Sequence, residues 1–297
     1  MSATSVSIPT PARASRVPSP AFRAPGRAER WAPGLVLAVL VFLIAFPFYW
    51  AVVASLSPEA ALFREPSLWP RVLTVEHYRA LFAERAFWVP IRNSLVVAGT
   101  TTLLCVSAGA LAAYALARFP FRGRSAVLGF ILAVTMFPQI SIVSPLYLLL
   151  RALRLINSYP GLVLPYMTFA MPLTVWLLVG FFRQLPRDLE EAALVDGATR
   201  WQSFTRIILP LAVPGLATTA ILTFIYCWNE FLFALAFTLG PERQTVPVAI
   251  ALFRGQYQVP WGEILAAAVV ATAPVTAVVL AFQRRIVQGL TAGAVKG

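Results

Sequence analysis

The chain has 297 residues, 59% hydrophobic and only 12% charged, with 24 Lys plus Arg against 12 Asp plus Glu and a net charge of +12. A soluble domain of this size carries roughly 25% charged residues, so the composition excludes a soluble enzyme or binding domain and calls for membrane spans. The basic excess is spread thinly between apolar runs and forms no basic run interleaved with base-stacking aromatics, which argues against nucleic acid and for membrane topology and lipid headgroup contact.

Residues 1–30 are rich in Pro, Ala and Ser and hold five arginines, the pattern of a disordered tail flanking the first apolar run. That run, about 33–56, is too long for the core of a cleavable signal peptide and reads as an uncleaved first span. Further spans follow at about 91–117, 125–146, 161–182, 212–239 and 264–283, each near the roughly 20 residues that cross 30 Å of hydrocarbon. The expected fold is thus all-α, with six transmembrane helices in one domain over 31–297 and a C-terminal tail from about 284 to 297.

Fifteen of the 24 basic residues fall in the N-terminal tail, the loops after spans 2 and 4, and the C-terminal tail; nine fall on the alternate side. Both termini are therefore expected in the cytoplasm. In span 2, Gly109 and Ala113 lie four apart, spacing that lets helices approach closely or lines a pore. Cys105 and Cys227 sit within apolar runs as small packing residues, and one histidine, His77, with no Cys/His cluster gives no metal site.

Span 3 contains MFPQISIVSP, where Pro138 and Pro145 remove helix hydrogen bonds and Gln139, Ser141 and Ser144 bring polar groups to membrane depth. The segment reads either as a kinked structural helix or as one lining a wet path. Span 5 contains CWNEFLF, with Asn229 beside Glu230, the one ionisable side chain placed clearly within a span. A carboxylate there faces the bundle or water, as a pathway residue or as a hydrogen-bonded anchor.

The stretch after span 4, about 183–211, is different in kind. Four of the twelve acidic residues lie between 188 and 196. Asp188 and Glu191 have capping-box spacing, a short helix is predicted through about Val195, and Gly197 offers a turn. Trp201, Phe204 and Ile208 then recur at i, i+3 and i+7 as one apolar face, and Pro210 and Pro214 mark re-entry into the membrane. A merely solvated loop has no need of these features; a docking element does.

This passage resembles the EAA motif of bacterial ABC importer permeases: Glu191, Ala192 and Ala193, three residues, Gly197, nine residues, then Ile207, Leu209 and Pro210, with Asp196 in the common DGA variant. ARFPFRGR, LINSYPGLVLPY, WLLVGFFRQLP, CWNEFLF and GLTAGAVKG extend the resemblance to carbohydrate importers, the maltose-type second permease above all, over everything but the first 30 residues. The resemblance implies a type I ABC importer permease fold in the bacterial inner membrane, with a coupling helix between helices 4 and 5 seated on an ATPase. It also implies a second permease as heterodimer partner, an ATPase dimer that binds ATP and Mg, and an extracytoplasmic sugar-binding protein. This chain itself would be non-catalytic and without cofactor or metal. It has no G-x-x-x-x-G-K-[ST] loop for nucleotide. The cargo implied is an oligosaccharide such as maltose or trehalose, or a related polyol. The rival reading, a carrier driven by an ion gradient, requires intramembrane ionisable groups, and Glu230 is nearly alone.

Overall fold

The computed structural model describes residues 27–64, 68–253 and 259–292, and every regular element among them is helical. Two units are distinguished. The first, through Phe48, contains most of α1 (Arg27–Ser55), apolar on all sides and exposed from Leu35 to Ile44, the surface of a helix whose solvent is lipid. The expected tail over 1–30 lies outside the described residues up to 26.

The second unit starts at Tyr49 and holds the rest. Short helices α2 (Glu59–Arg64) and α3 (Glu76–Ala83) precede the long α4 (Trp88–Arg118). Then come α5 (Arg124–Thr135), α6 (Gln139–Ala152) and α7 (Tyr159–Gln184). After α7 the chain runs through α8 (Asp188–Val195), α9 (Arg200–Ser203), a π-helical turn (Phe204–Ile208), α10 (Leu209–Leu211) and α11 (Val213–Trp228). It ends with α12 (Leu232–Phe237), α13 (Val246–Ala251) and α14 (Trp261–Ala292). The stretch expected as a tail from 284 thus continues α14 as far as Ala292, and the last five residues lie outside the described set.

Among the described residues, four helices are long and apolar enough to cross a membrane, and two bent pairs bring the number to six if each pair is one span. The third expected span, 125–146, is one such pair: α5 and α6 meet at 91° across a break at Pro138. A residue before proline avoids the α region, so the helix stops ahead of Pro138, whereas Pro145 is accommodated within α6. The second pair joins Arg200–Leu211 to Val213–Trp228 at 73°, so the fifth expected span, 212–239, begins after that bend and divides again where α11 ends at Trp228 and α12 starts at Leu232.

The core is built on α4 and α7. Gly109 faces α7 so closely that a Cβ on it would meet Thr174 Cγ2 at 3.0 Å, and Ala113 and Ala117 are buried beside Val175 and Leu178. Of the two readings of this small-residue stripe, close packing is the one realised. Thr174 Oγ1 in turn lies 2.9 Å from Thr223 Oγ1, joining α7 to α11. Cys105 and Cys227 are free and buried in the same interior.

At the end of this body away from α8, polar groups tie loops to helices. Asn93, fully buried, donates to the carbonyls of Glu242 and Gln244 and accepts from the Tyr159 hydroxyl. His77 donates to the Ser57 carbonyl, and the Glu59 carboxylate accepts the amides of Trp261 and Gly262 at the head of α14. Asn157 donates to Glu242 at 2.7 Å, and that bond holds the exposed Glu242 carboxyl below the usual carboxylate range.

The LINSYPG stretch is a helix entry: Asn157 takes the left-handed conformation (φ 58°) and Ser158 caps α7 through the Gly161 amide. A Cβ at Gly161 would lie 2.0 Å from the Leu155 carbonyl oxygen, a backbone atom with nowhere to go. Gly161→Ala is therefore expected to destabilise by about 1–3 kcal/mol as overpacking. Gly129→Ala, where nothing lies within 4 Å, is expected to be neutral or better. Thermal denaturation of the detergent-purified variants, followed by size-exclusion chromatography, distinguishes the two.

Candidate functional site

The elbow between α7 and α11 is the candidate site. After Pro186 the chain is already helical at Arg187 (φ −71°, ψ −29°), whose carbonyl accepts the amides of Glu190 and Glu191 at 2.9 and 3.1 Å. Asp188 is therefore the first residue inside α8, and the box expected between Asp188 and Glu191 does not form. Its three acids, Asp188, Glu190 and Glu191, instead sit in the first turn, where the helix dipole favours negative charge.

The helix closes where expected. The amides of Asp196, Gly197 and Ala198 return to the carbonyls of Ala192, Leu194 and Ala193, and Gly197 has φ +86°. No atom lies within 4 Å of a Cβ built there, so the demand for glycine comes from backbone conformation and not from crowding. A reciprocal capping box follows one element later. Thr199 Oγ1 accepts the Gln202 amide at 3.2 Å and Gln202 Oε1 accepts the Thr199 amide at 2.8 Å.

The apolar face after the turn is only partly as expected. Phe204 and Ile208 are buried, but Trp201 is 62% exposed, its ring centre 5.8 Å from that of Phe204. The π-helical turn from Phe204 to Ile208 takes more residues per turn than an α-helix, so the i, i+3, i+7 spacing no longer marks one face.

The motif residues divide by side. Glu191, Ala192, Asp196, Gly197 and Pro210 are exposed, as is Val195 at 87%; Ile207 and Leu209 are half-buried. Ala193 is buried against the chain's own body. Beside Ala193, three residues earlier on the same face of α8, is Glu190, with its side chain 7% exposed.

Glu190 was not singled out in the sequence. Tyr114 of α4 donates to its Oε1 at 2.6 Å, Arg118 at the end of α4 faces its Oε2 at 3.5 Å, and Arg200 of α9 approaches at 3.7 Å. Arg118 also donates to the Leu185 carbonyl at 2.9 Å, where α7 ends. Around this polar knot the Tyr114 ring packs against Phe204, Phe119 and Phe182, at 4.6, 5.5 and 6.2 Å. The signal available was the i, i+3 pairing of Glu190 with Ala193, together with a lone Tyr and Arg closing a greasy helix.

The four residues considered for a path have different surroundings. Gln139 lines a cavity of about 270 Å³ with Thr135, Phe169, Trp176 and Tyr226, and its amide donates to the Tyr226 hydroxyl at 2.7 Å. Ser141 is exposed on α6 and does not line it. Asn229 donates back to the Ile225 carbonyl of its own helix. Glu230 accepts the amides of Phe233 and Ala234 at 2.8 and 3.1 Å, so its carboxylate caps α12. Of the two readings of Glu230, the hydrogen-bonded anchor fits this geometry.

A profile of the family described as binding-protein-dependent transport system inner membrane component matches residues 106–292, from within α4 to the end of α14. The chain belongs to this family. It is 43% identical over 266 residues to the trehalose/maltose transport system permease protein MalG of Thermococcus litoralis, covering 89% of this chain and 95% of that protein. It is 47% identical to the trehalose transport system permease protein SugB of Mycobacterium tuberculosis, over 91% and 98% of the two chains. Its fold is shared by a chain from the crystal structure of a bacterial ABC transporter involved in import of the acidic polysaccharide alginate. That match has a TM-score of 0.71 at 23% identity, covering 87% of this chain and 98% of that one. With four to six apolar crossings, this family member is a multi-pass inner-membrane protein.

The capping box makes a local test possible. Thr199→Ala is expected to cost about 1 kcal/mol of local stability, as loss of an N-cap does. Amide hydrogen exchange over 199–205 then rises while the buried middle of α7 keeps its protection.

Proposed function

We propose that this chain is one of two permease subunits of an ATP-binding-cassette importer that brings a carbohydrate into the cell. The observation that carries the reading is the elbow. It is a short rigid turn whose inner face is bonded into the membrane body and whose outer face presents Glu191, Ala192, Asp196 and Gly197 to a partner. Small residues permit close approach, and the acids offer charge to a basic cleft. The partner is an ATPase dimer, which holds the ATP and Mg; closure of that dimer on nucleotide moves the elbow and switches the permease pair between inward-facing and outward-facing. The basic bias of the sequence supports a cytoplasmic elbow and cytoplasmic termini. A sugar-binding protein delivers cargo to the opposite face.

The cargo is a sugar, an oligosaccharide such as maltose or trehalose or a related polyol. The trehalose and maltose systems named among the relatives support this class. So does the Gln139 cavity, which sets an amide and a phenol beside two aromatic rings, the chemistry that stacks on and hydrogen-bonds a sugar. An ion-gradient mechanism finds little support in Glu230, whose oxygens already accept backbone amides.

Reconstitution with a sister permease, ATPase and binding protein in nanodiscs tests the proposal, reading binding-protein-dependent ATP hydrolysis across a sugar panel. Stimulation by a sugar-loaded binding protein is expected; uptake that needs a proton gradient but no ATP contradicts it. Gly197→Asp is the sharpest variant, because aspartate is among the residues that tolerate positive φ while adding a charge to the docking face. It is expected to remain in the membrane and lose more than about tenfold of uptake per ATP hydrolysed, the scale of one charged interface contact. Separately, Gln139→Leu is expected to raise the KM for uptake with little change in ATPase stimulation at saturating sugar.

A further inference from the structure

The elbow is joined to the rest of the chain by more than its two ends. Glu190 on α8 is buried, and an ionised carboxylate taken out of water is costly unless it is paired and hydrogen-bonded. Its two partners from the membrane body, Tyr114 and Arg118, belong to one turn of α4, separated from it by more than seventy residues of chain. Arg118, itself 3% exposed in its side chain, reaches in the other direction to the Leu185 carbonyl that ends α7. Arg200 approaches the same carboxylate from beyond the Gly197 turn, with its guanidinium 5.3 Å from the Phe119 ring. Both arms of the elbow are therefore clamped to the terminus of α4.

We infer that Glu190 is a positioning residue that transmits motion of the elbow into α4, so that the push delivered at Glu191 and Ala192 moves the α4–α7 pair as one body. This deepens the importer reading and rests on it. Three features make the clamp stiff. The phenol–carboxylate bond is short and charge-assisted. The Tyr114 ring is wedged between Phe182 of α7 and Phe204 of the π-helical turn, so the bond and the apolar contacts hold the same three segments. Farther along, Gly109 against Thr174 leaves α4 no room to slide on α7. Without the clamp, the elbow would drive only the chain it is covalently continuous with, the ends of α7 and α11.

The test uses the full transporter in nanodiscs, with Glu190→Gln, which keeps the size and removes the charge, and Tyr114→Phe, which keeps the ring and removes one O–H. Uptake per ATP hydrolysed is expected to fall about tenfold in the first and about threefold in the second, in proportion to the charged and single hydrogen bonds removed. A second readout separates transmission from mere stability. Spin labels at Leu189→Cys and Arg122→Cys, both exposed positions, are placed in a chain with Cys105→Ala and Cys227→Ala. In the otherwise unaltered protein the label-to-label distance is expected to be the same with and without trapped ATP, and in Glu190→Gln the two distributions part. Should Glu190→Gln fail to assemble, Tyr114→Phe and the distance in the parent protein still decide. Normal uptake per ATP in Tyr114→Phe, or a parent distance that shifts on ATP trapping, overturns the inference while leaving the importer reading standing. A parent chain that captures no ATPase at all overturns that reading, and the inference with it.

Discussion

An ionised carboxylate cannot stay in a water-poor interior without partners, and this chain places one whose nearest partners are on a helix distant in sequence. Glu190 has to be met by Tyr114 and Arg118, so α8 must lie against the end of α4 in one register. That requirement fixes the elbow more tightly than its sequence of helix formers and turn residues does alone. With α8 seated, Ala193 is turned inward and Glu191, Ala192 and Asp196 outward, because successive helical residues divide between faces. The outer face is thus a consequence of the inner bond.

The same economy governs the membrane body. Several polar groups at depth are satisfied on the spot. The Glu230 carboxylate caps α12, the Thr174 and Thr223 hydroxyls face one another, and the Gln139 amide finds the Tyr226 phenol. Interruptions at Pro138 and after Trp228 expose backbone groups that hydrocarbon cannot satisfy, and nearby residues of the chain take up several of them: the amides of Met136 and Phe137 return to the carbonyls of Ala133 and Val134, and the Glu230 carboxylate accepts those of Phe233 and Ala234. A body that bends at a few defined breaks and is stiff along α4 and α7 is suited to moving between two arrangements.

Much of this was legible from residues in order. Hydropathy located four long apolar helices and the bent α5–α6 pair among the described residues, and the Gly197 turn and the helix ending at Val195 followed from local chemistry. Three things were not legible, each for a physical reason. The capping box lies at Thr199 and Gln202 because the chain enters α8 already helical at Arg187, which no local pattern announces. Trp201 leaves the face of Phe204 and Ile208 because a π-helical turn breaks the 3.6-residue period on which the spacing argument rests. Glu190 looked like one more acid in a solvated turn because its partners are far away in the chain. Glu230 is the converse: an intramembrane acid that invites a pathway role, yet satisfies the amides of its own chain two to four residues on.

The central claim is that the outer face of the elbow is gripped by an ATPase. It is tested most directly by crosslinking from Ala192→Cys, an exposed position on α8, in membranes containing the assembled transporter. The account predicts capture of the ATPase subunit, with a yield that changes when ATP is trapped, and labelling of the same cysteine only by reagents that enter the cytoplasm. Labelling from outside the cell, or a crosslinker that never captures an ATPase from Ala192→Cys, would contradict it.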